Sequence, residues 1–176
     1  YDWSSNRVLL QGGYGTANHN DTWAWDGKTW TQLSPKTSPP LKSRGGLISI
    51  KKSKEIVMYG GTTPTGITVP ASDMWKWDGS DWTKVTTTNA PYTTGVLTHP
   101  MYWDDLRERL VIFGGYNIYE RGGTFEFHNG TWTERKFTTG PIARSGPGMA
   151  YVPVFKKGYM FGGYAGTKLK QQGDTW

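Results

Sequence analysis

Short apolar runs and aromatic alternations recur along this chain at a nearly constant interval. Four times an apolar run leads into a Gly-Gly pair: "RVLLQ" into Gly12-Gly13, "EIVMY" into Gly60-Gly61, "RLVIF" into Gly114-Gly115 and "GYMF" into Gly162-Gly163. The first glycines of these pairs lie 48, 54 and 48 residues apart. A short apolar run bounded by a turn signal predicts a buried strand. A second pattern keeps closer time. "DTWAWDGKTWTQL" begins at Asp21, "DMWKWDGSDWTKV" at Asp73 and "GTFEFHNGTWTER" at Gly123, and "DTW" recurs at Asp174. The leading aromatics Trp23, Trp75, Phe125 and Trp176 fall 52, 50 and 51 residues apart. Trp30, Trp82 and Trp132 each follow their leader by seven. Large side chains at every second position predict a strand with one buried face.

Asp26-Gly27, Asp78-Gly79 and Asn129-Gly130 read as two-residue hairpin turns at one shared place in the repeat. A further strand is predicted before each apolar run, in "RGGLISI" from Arg44, "GVLTHPMYW" from Gly95 and "RSGPGMAYV" from Arg144. The fold class is therefore all-β, built from antiparallel four-stranded units. Repetition at ~50 residues points to a radial arrangement of such units.

The apolar run into Gly-Gly, the spaced aromatic pair and the trailing Trp together resemble the kelch-repeat β-propeller family (galactose oxidase/kelch-like), in its bacterial style. The resemblance covers the whole chain. It implies a propeller segment of about 3.5 four-stranded blades. The expected divisions are a partial blade at 1–38, blades at 39–90 and 91–139, and a partial blade at 140–176. An open arc exposes apolar flanks that soluble monomers avoid. The segment is thus expected to belong to a larger ring, with self-assembly of copies as the other means of closure.

Composition narrows the chemistry. The 176 residues include 10 Trp, 10 Tyr and 24 Gly, and the formal charge is +6. The lysines are scattered in twos and threes (Lys51, Lys52 and Lys54; Lys156 and Lys157; Lys168 and Lys170), which suits solvated turns and protected strand edges. No specific nucleic-acid binding is expected, and no stretch is apolar enough for a transmembrane helix. Cysteine is absent, which excludes disulfides, thiolate metal sites and a cysteine-modified tyrosine within this chain. His19, His99 and His128 are dispersed, without the close pairing of a metal motif. No metal or cofactor is expected. "DGKTWT" resembles the Asp-box turn of sialidases but fails in register, because Asp26 precedes Trp30 by four residues rather than five. Asp104-Asp105 reads as turn chemistry, and the Gly-Gly pairs lack the lysine and helix of a phosphate loop.

Features that recur in each unit are most simply structural, whereas features confined to one unit are candidates for function. Arg44 and Arg144 read as equivalent residues, with Thr93–Gly95 at that place in the third unit. Trp3 and Trp103 fall outside the Trp repeat. In a meander, the Asp-Gly turns lie at one end and the loops after Gly-Gly at the other. Those loops vary, with 9, 13, 9 and 12 residues separating Gly-Gly from the next leading aromatic. Variable loops on a regular scaffold are where binding tends to reside. The ligand-binding candidates are Tyr14, Asn18, His19, Tyr116, Asn117, Tyr119, Arg121 and Tyr164. Aromatic, amide and guanidinium groups suit a protein or glycan partner. No catalytic set is assigned. The expected function is a non-catalytic binding module at the cell surface or outside the cell. The alternatives are a carbohydrate-active enzyme whose catalytic residues lie partly in other blades, and a surface or filament component.

Overall fold

A computed structural model describes residues 1–64, 72–92, 97–166 and 170–176. The described residues form fifteen strands and no helix: β1 (Val8–Tyr14), β2 (Asn18–Trp25), β3 (Trp30–Leu33), β4 (Gly46–Ile50), β5 (Glu55–Tyr59), β6 (Met74–Trp77), β7 (Trp82–Val85), β8 (Met101–Asp104), β9 (Arg109–Asn117), β10 (Tyr119–His128), β11 (Thr131–Arg135), β12 (Gly148–Val152), β13 (Lys157–Phe161), β14 (Tyr164–Ala165) and β15 (Lys170–Gln171). Among these residues no helix is long and apolar enough to cross a membrane.

Neighbouring strands pair antiparallel in chain order. Sheet I is β1-β2-β3, sheet II is β4-β5-β6-β7, sheet III is β8-β9-β10-β11, and sheet IV is β12-β13. Thr175 bridges to Phe161 beside β13, and β14-β15 form a separate small ribbon. Directly paired residues share a face of the sheet, so the register assigns each side chain. In sheet II, Ile56 pairs with Trp77, Met58 with Trp75 and Trp77 with Trp82. All five share one face, which packs on Leu9 and Leu33 of sheet I. The opposite face, with Val57, Tyr59 and Met74, packs on Leu110, Ile112 and Trp132 of sheet III. Sheet III in turn meets sheet IV, where Tyr102 and Tyr151 stack at 6.0 Å. Sheets II and III therefore each have a leading face, turned to the sheet before, and a trailing face, turned to the sheet after.

Three local expectations change. First, β1 and β9 do not stop at Gly-Gly. They continue through it as bulged hairpin arms to Tyr14 and Asn117, with register shifts between Gln11 and Gly13 and, on β10, between Arg121 and Thr124. Glycine is needed at this bend: Gly114 has φ 57°, and a Cβ there would lie 2.5 Å from the Arg144 carbonyl oxygen. Second, the three hairpin turns are not in one register. Trp25 pairs with Trp30 and Phe127 with Trp132, so Asp26 corresponds to His128 rather than to Asn129. Asn129 and Gly130 are the two central residues of their turn, at φ 47° and 82°. Asp26 and Asp78 instead close their turns with side-chain oxygens, each accepting backbone N–H groups two and three residues on. Third, Arg144 corresponds to Lys42, not to Arg44, as the anchors below demonstrate. Asp104 caps its turn through the N–H groups of Leu106 and Arg107, as expected for turn chemistry. Thr93–Gly95 lies outside the described residues.

Candidate functional site

The end of the molecule beyond the Gly-Gly pairs is organised by one repeated anchor. Lys42 donates to the Gly60 carbonyl and pairs with Asp73, which also accepts the Trp75 indole N–H at 2.7 Å. Arg144 donates to the Gly162 carbonyl at 3.0 Å and to Asp174 at 2.8 Å, and Asp174 accepts the Trp176 indole N–H. Both cations are buried. Burial pushes the Asp73 carboxyl up, but the Lys42 ammonium and the Trp75 N–H outweigh it and hold the group below the ordinary carboxylate range. Arg144 and Trp176 hold Asp174 well below that range. The third unit reaches the same end by other means. Gly123 and Phe125 stand where the Asp and Trp are expected, and the buried Tyr92 hydroxyl donates to the Gly114 carbonyl at 2.9 Å. The Tyr92 ring meets Phe125 edge-on at 5.5 Å.

These anchors fix the residue after the second, third and fourth Gly-Gly pairs. Thr62 bridges to Ser43, Tyr116 to Leu97, and Tyr164 to Ser145. The next residue along, Arg44, Thr98 or Gly146, is left-handed in every case, with φ of 59°, 52° and 62°. Glycine takes this conformation freely, whereas a β-branched threonine there is a strained outlier. The two non-glycine residues at this position both line a cavity of about 310 Å³, together with Leu97, Tyr116, Ser145 and Tyr164. The Gly146 N–H donates to the Thr98 carbonyl, which closes the third unit onto the fourth beside it. The cavity is therefore walled by an arginine, a threonine, a serine, a leucine and two tyrosines, and the surface they turn to it is mainly apolar.

The eight candidates fall into three groups. Tyr116 and Tyr164 meet at this cavity. Tyr119 is exposed, and the Arg121 guanidinium lies 4.2 Å from its ring centre, a cation–π contact on the third hairpin arm. Asn117 pairs with Tyr119 across the turn of that arm, where Ile118 is left-handed at φ 64°. Tyr14, Asn18 and His19 form the tip of the first arm, Tyr14 paired with Asn18 and His19 with Gly13. Sequence reasoning missed Thr98, Leu97 and Ser145. The signal for them was the distance of 18 residues from Lys42 to Gly60 and from Arg144 to Gly162, which sets Arg44 opposite Gly146.

A second groove, of about 520 Å³, opens at the opposite end between sheets II and III, over Ile50, Val57, Trp103 and Phe127. Phe127 stands where sheet II has Trp77, whose indole reaches back to Asp2 of the preceding unit. The smaller ring leaves that space open. Trp103, one of the two tryptophans outside the repeat, forms part of its wall. No cluster of three or more metal-ligating side chains is present among the described residues.

No family model matches this chain, and no curated protein matches it. Solved structures do. The chain is similar to the structure described as "Structure of YjhT", with a TM-score of 0.67 at 14% identity over 90% of this chain. It covers 49% of that structure, so it spans about half its length. The likeness is one of fold.

Proposed function

We propose that this chain is a kelch-type β-propeller segment that serves as a non-catalytic binding module, taking a protein or glycan at the end beyond its Gly-Gly pairs. The observation that carries the reading is the cavity between Arg44, Thr98, Tyr116 and Tyr164. Strained backbone persists where the surrounding structure and the function retain it. Here two of three equivalent positions keep a side chain at a backbone conformation that the third fills with glycine. Both of those residues line the same cavity. Aromatic rings beside a guanidinium and hydroxyls are suited to sugar faces and to aromatic or carboxylate side chains. The Tyr119–Arg121 stack on the third hairpin arm adds further contact surface at this end of the molecule.

The test is a binding screen over arrayed glycans and soluble proteins with the parent chain and with Tyr116→Ala/Tyr164→Ala. Ligands of the parent should be lost by the double variant while its melting transition is kept. Retention of every ligand by a folded double variant would place binding elsewhere.

A further inference from the structure

The groove between sheets II and III differs from the junction before it by a concerted set of changes, which the register resolves residue by residue. Asp2 and Ile50 each open a four-residue turn whose last member, Asn6 or Lys54, is left-handed at φ 55° or 57°. At the junction of sheets I and II the Trp77 indole donates to Asp2 at 3.3 Å. Gly79 there rests so closely on Ser4 that no Cβ would fit between them. At the junction of sheets II and III, Phe127 stands for Trp77, Ile50 for Asp2, Asn129 for Gly79 and Lys52 for Ser4. Asn129 and Lys52 are both exposed. An indole, its carboxylate acceptor and the turn that covers them are thus replaced together.

A further change points the same way. Trp103 pairs with Leu110 where sheet II pairs Ser49 with Ile56. Trp103, Leu110 and Phe127 are paired in a row, so they share the leading face of sheet III. Ile50, Val57 and Val85 line the groove from the trailing face of sheet II. Interiors close-pack, yet the added Trp103 ring lines this space instead of filling it, and both it and Phe127 stay half-buried. A groove of about 520 Å³ with aromatic and aliphatic walls has the size and lining of a small-molecule site.

We propose that this groove binds a neutral, planar aromatic small molecule of indole size or somewhat larger. It inserts between the two walls, at the place where the preceding junction holds the Trp77 indole. The rim selects against charge. Lys76 pairs with Glu55 at 3.2 Å, and Lys52 pairs with Glu108 across the mouth, from one turn to the other. Ser53 donates to Glu55 at 2.9 Å, and His128 Nδ1 lies 3.0 Å from the Glu108 carbonyl oxygen. Each rim lysine already has its carboxylate, so a charged occupant would bring a charge into the groove without a partner, which is costly. The groove lies at the opposite end from the Arg44–Tyr164 cavity, so this inference does not depend on the ligand reading above.

The test is isothermal titration of the chain with indole, and with indoleacetate and tryptamine as its anionic and cationic counterparts. Indole should bind saturably, and each charged counterpart about tenfold or more weakly. Phe127→Trp restores the sheet II residue and fills the groove, and Trp103→Ser restores the Ser49 pattern and removes a wall. Each should weaken indole binding by about tenfold or more while the circular dichroism of the parent is kept. Trp103→Ser keeps the test decisive should the larger ring at position 127 disturb folding. Tyr116→Ala/Tyr164→Ala, at the other end, should bind indole as the parent does, whatever becomes of the ligands of that end. A parent with no saturable indole binding up to the solubility limit overturns the proposal. So does binding indifferent to the folded variants at 103 and 127, equal binding of the charged counterparts, or loss of indole binding in the Tyr116/Tyr164 variant, which would place the aromatic in the other cavity.

Discussion

Sheets II and III hold their Gly-Gly bends with opposite chemistry. In sheet II a buried ammonium, a carboxylate and an indole N–H form a charged chain, Lys42–Asp73–Trp75. In sheet III a phenol, a glycine and a phenylalanine do the same mechanical work without charge, Tyr92–Gly123–Phe125. The invariant is the restrained glycine carbonyl, and three substitutions change together around it. A Cβ on Gly123 would stand 3.0 Å from the Phe125 ring, so the glycine is tied to the ring that replaces Trp. A buried charged pair is costly to break, because the remaining charge stays desolvated. A neutral hydrogen bond is cheaper to lose.

That difference predicts an ordered series. Lys42→Met leaves the Asp73 carboxylate buried without its cation, and should cost about 3–5 kcal/mol in chemical denaturation. A loss under about 1 kcal/mol would mean that the pair is no anchor. Acid should act on the same pair. The folded-state pKa values of Asp73 and Asp174 are depressed, so their stabilisation is present above the ordinary carboxylate value of 3.8 and is lost as pH falls below it. The melting temperature should therefore drop steeply below about pH 4, and Lys42→Met should flatten that dependence. An unchanged acid profile in the variant would contradict the assignment.

The junctions between sheets differ in the same way. Thr22 accepts the Trp82 indole N–H and donates to Gln11 at 2.5 Å, whereas Met74 stands at the equivalent place, and the Trp132 indole nitrogen and the Tyr59 hydroxyl have no protein partner. Thr22→Val makes the first junction resemble the second, and should cost about 1–3 kcal/mol by stranding a buried N–H. Tyr92→Phe, which removes only the neutral anchor bond, should cost about 1 kcal/mol. A larger loss for Tyr92→Phe than for Lys42→Met would reverse the comparison.

The strands themselves were legible, because Gly-Gly, the alternating aromatics and the trailing Trp are local signals repeated in register. The anchors were not. Lys42 sits in a proline-rich connection and resembles a solvated lysine, and its partner lies 31 residues away. Arg144 is two residues from an alignment with Arg44 that looks equally good as text, and only the shared contact with a glycine carbonyl decides between them. The passage of β1 and β9 through Gly-Gly escaped notice because glycine pairs read as strand ends. Of the candidate site, the tyrosines after Gly-Gly could be read from the sequence. Thr98 could not, since its importance lies in a left-handed backbone that residue type gives no reason to expect.

Arg44→Gly/Thr98→Gly separates scaffold from site most directly. Glycine relieves the left-handed strain at both positions, so the double variant should melt at or above the parent temperature, a gain of up to about 1 kcal/mol. The account predicts that this variant at the same time loses the ligands captured by the parent. A variant that is less stable and binds as before would contradict it, by making those side chains part of the frame and the cavity no site.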